Sequence, residues 1–314
     1  MAETEGRSTV AEGAARQLAN ATKTRAQWGG ITPRWLIPFL PWTPAEAGIY
    51  RLNRVKETRG ATSTTGVAAV ESSPPKDRDA ELPETFVDYE EHPREYFLNA
   101  VTTVLDVQTR VSDLYSRPFD QTQEQLRLLI EKVKERQESE LITNPEYGLL
   151  NNVAPSMVIK TRSGAPTPDD LDELISKVWK EPSFFLAHPK AIAAFGRECT
   201  ARGVPPPTVT LFGSPFLTWR GLPLVPSDKV PHNKADKTSI LLLRTGEKKQ
   251  GVVGLFQPGV PGEISPSLSV RFMGINRKAI ASYLISLYTS LAVLTEDALG
   301  VLDNVDVGQY HKYD

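Results

Sequence analysis

The sequence predicts an α+β fold, and three observations carry that reading. From Asp120 to Ile142 apolar residues fall at helical spacing, with Leu126, Leu129, Ile130 and Val133 at i, i+3, i+4 and i+7. Between Tyr147 and Gly262 two shorter helices with strong start signals alternate with short β-rich runs. Outside that region β-branched residues recur at strand-like density in "IYRLNRV" and "YFLNAVTTVLDVQTRV".

The chain opens as an arm. Its first 25 residues are rich in Ala, Thr, Gly and charge, and "GAARQLANATKT" offers a short helix with too few large apolar side chains to stand alone. Then comes "ITPRWLIPFLPWTP", Ile31 to Pro44, apolar but broken by Pro33, Pro38, Pro41 and Pro44. Those rings remove amide donors and disfavour helical backbone before each of them, so the stretch reads as neither helix nor central strand. "IYRLNRV", from Ile49, alternates like a strand, and a polar Pro/Gly/Ser-punctuated stretch follows it. A run of that length without a core projects from the body, and "YFLNAVTTVLDVQTRV" returns from it, making a two-stranded flap.

Asp120 starts the long helix as N-cap, with Gln123 three residues on to complete a capping box after Pro118. Its C-terminal half, "KERQESE", is charged on every face. It is expected to outrun the core, ending either in solvent or on a neighbouring subunit. Thr167 caps the next helix, with Pro168 at its first position and Leu171, Leu174, Ile175 and Val178 on one face. "SFFLA" is a short buried strand, and "HPKAIAAFGRECTARG" a helix running from Pro189 to a stop at Gly203. "TVTLFG", "FLTW", "LPLVP", "SILLLR" and "GVVGLF" are strands, two of them joined by a tight turn at Arg220-Gly221. "SLSVRFMGI" alternates Leu268, Val270 and Phe272 to one side, and Asn276 is expected to cap a long final helix through about Leu302. That helix contains "AIASYLISLYTSLAVL", which is too short for a bilayer span of about 20 apolar residues. Ser282, Ser286, Thr289 and Ser290 interrupt it and Glu296 and Asp297 follow, so a buried helix is expected.

With 36 basic and 38 acidic residues, the net charge of -2 gives no electrostatic reason to expect a nucleic-acid or anionic-membrane partner. Cys199 is the single cysteine, which excludes an intrachain disulfide and reads as a small buried apolar side chain. With no secretory signal read at the N-terminus, the expected compartment is a reducing cytoplasm. His92, His188, His232 and His311 are scattered without metal-site spacing. "RTGEKKQG" lacks the order of a phosphate-binding loop, and in "LFGSPF" Ser214 is followed by Pro215, which rules out a nucleophile elbow. The adjacent acids Asp169 with Asp170, and Glu90 with Glu91, point in different directions and read as helix-start and surface charges. No motif supports an enzyme.

The order of parts resembles the HK-97 type major capsid fold of tailed bacteriophages. Longer stretches, among them "ITPRWL", "EAGIYRLNRV", "QEQLRLLIEKVKERQESELI", "EYGLLNNVAP" and "SVRFMGINRKAIASYLISLYTSLAVLTEDAL", resemble the family 2 encapsulins, which are bacterial nanocompartment shell proteins. The likeness runs from about Ala14 to the C-terminus. Val55 to Pro93 is far too short for the cyclic-nucleotide-binding domain that some members carry, which points to subgroup 2A. The resemblance implies an N-terminal arm (1–48), an extended loop (49–98), a peripheral domain with the spine helix (99–146), an axial domain (147–262), and a return strand and C-terminal helix of the peripheral domain (263–314). It implies an icosahedral homo-oligomeric shell enclosing a cargo enzyme, typically a cysteine desulfurase tied to sulfur metabolism or storage. Pyridoxal phosphate would belong to that cargo, while this chain would carry no catalytic residue, cofactor or metal and bind neither nucleic acid nor membrane. The alternative is a phage or prophage major capsid protein.

In such a shell Trp35, Leu36, Phe39, Leu40 and Trp42 are expected to lie across an adjacent subunit as an extended strap. Two loops are candidates for a pore rim. "RGVPPP" contributes Arg202, Gly203, Pro205, Pro206 and Pro207, and "KVPHNKADK", basic and expected to be mobile, contributes His232, Asn233 and Lys234. Either also reads as a plain connection.

Overall fold

The computed structural model describes residues 27–55, 89–108 and 120–311. The expected short helix in "GAARQLANATKT" and the far part of the flap lie outside these residues. A single helical turn, α1 (Leu36–Phe39), precedes β1 (Trp42–Pro44), β2 (Ile49–Leu52), β3 (Arg94–Phe97) and β4 (Asn99–Gln108). The spine helix α2 (Gln121–Thr143) leads to β5 (Val158–Lys160), α3 (Pro168–Lys177), β6 (Phe184–Ala187) and α4 (Pro189–Ala201). The strands β7 (Thr208–Leu211), β8 (Ser214–Trp219), β9 (Leu222–Pro226), β10 (Lys237–Leu243), β11 (Val252–Phe256) and β12 (Glu263–Ser265) follow. The last elements are β13 (Leu268–Ile275), β14 (Ile280–Val293) and β15 (Leu299–Asp306).

Two sheets organise the body. The first runs β1-β11-β14-β13-β12, with β4 also paired along β14, and the second runs β5-β15-β10-β6-β9-β8-β7. In the second sheet, alternation sorts the side chains onto two cores. Phe184, Leu186, Leu241 and Leu243 face the spine helix and α1, while Phe185, Ala187, Ile240 and Leu242 face α3 and α4. Both faces are covered, which is why these strands are continuous apolar runs in the sequence. Helix α3 starts on a full capping box between Thr167 and Asp170, and Arg220 and Gly221 take the positive φ of a tight hairpin turn.

The final helix is a correction. Ile280 to Val293 is the long strand β14, paired with β4 from Ile280↔Gln108 to Thr289↔Asn99 and with β13 from Leu268↔Leu287 to Ile275↔Ala281. An apolar run buried on both faces has no period that separates helix from strand, and β-branched and aromatic residues decide it here. Asn276 caps no helix. Its Oδ1 accepts from the backbone N–H of Lys278 and Ile280 at 2.9 and 3.1 Å, closing the β13–β14 hairpin. The expected partition at residue 262 also fails to follow the sheets. Strand β11 belongs to the first sheet, and β15, expected in a helix, pairs with β5 and β10 in the second.

The flap holds only in part: Ile49 to Leu52 pairs with Phe97 to Arg94 and Val55 bridges Tyr89, but the rest of the expected return strand, Asn99 to Gln108, is β4 and pairs with β14 in the first sheet. Asp120 caps the spine helix, accepting from the Gln123 N–H at 3.1 Å, without the reciprocal Gln123 bond that a capping box needs. Its other half departs from expectation. Glu135, Gln137 and Glu138 are buried, and Leu141 and Ile142 are fully so, because this half passes between the two sheets rather than beyond them. No helix among the described residues is long and apolar enough to cross a membrane.

Candidate interaction site

The proline-broken segment is seated in its own chain. Pro38 lies in the first turn of α1, where no intrahelical acceptor awaits its missing N–H, and Pro44 sits in β1 at a sheet edge, so neither ring removes a needed bond. Leu36 and Leu40 pack among Leu141, Ile142, Leu243, Val252 and Leu291. Trp35 stands edge-on to Phe216 at 5.2 Å, and Phe39 lies 5.0 to 5.7 Å from Phe184, Phe212 and Phe216. Trp42 donates from Nε1 to the Ile37 carbonyl at 2.9 Å, and its ring covers Gly254, where any Cβ would come within 2.7 Å. These contacts correct the extended form of the strap: Leu36 and Leu40 are buried in the chain's own core, and Trp35, Phe39 and Trp42 pack against it partly buried.

A polar lock fixes the entry to this segment. Glu135 accepts from the Thr32 N–H at 3.0 Å and pairs with Arg34 at 3.3 Å and with Lys229 at 2.5 Å. Arg34 also reaches Glu131 at 2.6 Å, and Lys229 meets Asp228 at 2.6 Å and the Thr32 hydroxyl. Burial alone would raise Glu135, but hydrogen bonds from Lys229 and Thr32 outweigh it and hold the carboxyl below its usual range. Burial would likewise lower Lys229, and Asp228 and Glu135 raise it instead. One turn along, Glu138 is buried. It accepts from the Ser227 hydroxyl at 2.6 Å and leaves Oε2 without a partner, and burial pushes it up to about 7 against Ser227 and Lys229.

The two candidate rim loops are not brought together. Arg202 to Pro207 leaves the C-terminus of α4, exposed apart from half-buried Pro206, with Gly203 at positive φ. Arg202 folds back onto Glu198, and the Pro207 carbonyl accepts from the Thr218 N–H at 2.7 Å. The loop from Lys229 to Lys237 packs at the other end of the same helix, about 20 Å away at 1.5 Å per residue, so one chain cannot present both to a single narrow opening. It is also tied down rather than loose. Asn233 Oδ1 accepts from Ala235 and Lys237, Thr238 donates to the Pro231 carbonyl, and Val307 donates to the Asp236 carbonyl. His232 lies 3.1 Å from Asp236, while Lys234 is exposed.

Sequence reading missed a different surface. Val104, Phe272, Met273 and Ile275 are more than half exposed on β4 and the end of β13, and a register shift at Met273 turns its side chain out of the ladder. Trp179, just past α3, is 69% exposed. The signal was present in "VRFMGI", whose apolar residues do not strictly alternate. No described group of three or more His, Cys, Asp or Glu is placed to hold a metal. Cys199 is buried and its thiol pushed up to about 11 by that burial, a poor nucleophile. What the arrangement offers is surface for association.

Comparison with known proteins agrees. The family model for type 2A encapsulin shell proteins, SrpI-like, matches residues 55–309. The type 2A encapsulin shell protein SrpI of Synechococcus elongatus is 69% identical over 96% of this chain and 95% of its own, and a type 2A shell protein of Mycolicibacterium paratuberculosis is 62% identical over the same shares. The electron cryomicroscopy structure of the holo-SrpI encapsulin complex from Synechococcus elongatus superposes with a TM-score of 0.82 at 65% identity, covering 98% of this chain and 99% of that one. The capsid of a native GTA particle, at 14% identity and a TM-score of 0.62, covers 94% of this chain and 98% of its own, and shares the HK-97 type capsid fold.

Proposed function

This chain belongs to the family of type 2A encapsulin shell proteins, and from that premise we propose that its copies close into an icosahedral shell in the cytoplasm around a cysteine desulfurase. The chain is a structural shell protein of an encapsulin compartment, not an enzyme. One observation carries the shell reading: likeness to a holo encapsulin complex extends over 98% of the chain at 65% identity. The exposed apolar side chains at the end of β13, Phe272, Met273 and Ile275, are physically consistent with it, because apolar surface is stable in water when another copy covers it.

The cargo, its pyridoxal phosphate and its link to sulfur metabolism or storage rest on the resemblance of this chain to family 2 shells. In the shell, the second sheet with α3 and α4 is the lobe assigned to the symmetry axes, and β4, β13 and β14 with the spine helix are assigned to the periphery. The phage-capsid alternative has weaker support, since the GTA capsid is 14% identical and shows fold alone. Particles purified from the native host test the proposal by electron microscopy and mass spectrometry. Closed megadalton particles holding a pyridoxal-phosphate enzyme are expected. DNA-filled particles without an enzyme would support a phage capsid, and a stable monomer or dimer at micromolar concentration would refute a shell.

A further inference from the structure

His188 and His232, 44 positions apart in the sequence, meet face to face. Their rings lie 5.2 Å apart at an interplanar angle of 19°. His188 is the N-cap of α4, and its Nδ1 accepts the Lys190 N–H at 3.2 Å. That hydrogen bond needs a free lone pair on Nδ1, so it exists only while that nitrogen is unprotonated. His232 belongs to the loop 231–237, half-buried against His188 and held from behind by Asp236 at 3.1 Å.

We propose that the His188–His232 stack is an acid-sensitive pin, fastening the loop 231–237 to the N-terminus of α4 at neutral pH and releasing it on acidification. A proton on His188 acts in three ways. It removes the cap acceptor, leaving the Lys190 N–H unmet. It places positive charge at the positive end of a thirteen-residue helix. It also sets a positive charge against the His232 ring stacked 5.2 Å away.

The charges facing His188 are Lys190 on its own helix and His232 and Asp228 from the loop side, with Asp236 behind His232. Lys190 opposes protonation and Asp228 favours it, while Asp236 is engaged by His232. Burial first, then His232 and Lys190, outweigh Asp228 and hold His188 below its ordinary value of 6.5. The sign follows: the closed loop is fully stable above about 6.5 and loses stability as pH falls below it, because the open state takes the proton more readily.

This inference concerns the fastening of the loop and stands whether or not the loop lines an opening. Amide hydrogen exchange on assembled particles tests it, at about pH 7.5 and about pH 5.5, corrected for intrinsic exchange. One pH unit below the ordinary imidazole value, a site that takes up the proton less readily while closed opens more often, by at most about tenfold. The expected result is a rise in exchange at 231–237, up to that limit, with α3 unchanged, and no such rise in His188→Asn, whose side-chain oxygen caps a helix without titrating. Unchanged loop exchange in the wild type overturns the proposal, as does an equal rise throughout the chain or an equal rise in His188→Asn. If that variant fails to assemble, His188→Ser offers a second non-titrating cap, and the wild-type outcomes still decide.

Discussion

Replacing Glu138 by Gln probes the cost of passing a charged helix between two sheets. Glu138 is fully buried, with one hydrogen bond from Ser227 and Oε2 unpartnered. Burial raises its carboxyl from 4.5 to about 7, against the Ser227 hydrogen bond and the charge of Lys229. The folded state therefore favours the neutral acid. Nothing is lost below about 4.5, stability falls as pH rises between 4.5 and 7, and above 7 the full penalty of about 3 kcal/mol applies. At about 2.1 cal/mol/K per residue, a chain of this length shifts by about 1.5 °C per kcal/mol, or about 5 °C in all. Thermal unfolding of assembled wild type and Glu138→Gln across pH gives the difference directly. The variant should match the wild type near pH 5 and exceed it by about 5 °C near pH 8.5. A difference that does not change with pH would refute the reasoning, since only ionisation distinguishes the two side chains in this way.

Leu36→Ala empties a fully buried position and should destabilise the subunit by about 2–5 kcal/mol, lowering its urea midpoint; a change in assembly with unchanged subunit stability would restore the strap reading. Truncation of Met1 to Trp42 should lower the yield of folded chain rather than leave an intact lobe. Gly254→Ala places a methyl 2.7 Å from the Trp42 ring and should cost about 1–3 kcal/mol, with faster amide exchange at Ala45, whose N–H donates to Phe256.

Elements marked by local chemistry were legible in the sequence. The Thr167–Pro168 start, the Asp120 cap and the Arg220-Gly221 turn are written within a few residues and recur in the structure. β14 was not legible as a strand, because a run buried on both faces satisfies either period, and Asn276 bonds forward in the same way at a helix start and in this hairpin. The arm was misread because prolines were taken to exclude regular structure, whereas the first turn of a helix and a sheet edge both accept them. The polar lock had no local signal: Thr32 and Ser227 lie 103 and 89 positions from the acids they bond. Long-range pairing of this kind is a property of the fold and leaves no spacing to read.

The parallel pairing of β1 with β11 also carries a consequence for the order in which a new chain matures. Gly48 bonds to Gln257, 209 positions later, and Leu36 and Leu40 close over side chains from α2 to β14. At 5–20 residues per second, the ribosome needs about 10 to 40 s to supply those partners after the arm has been made. Its aromatic side chains therefore wait uncovered for that interval, and a segment made well before its partners is among the last to be seated. A nascent subunit cannot complete its core until nearly its whole length has emerged, so translation speed and holdase chaperones act directly on the yield of assembly-competent chains.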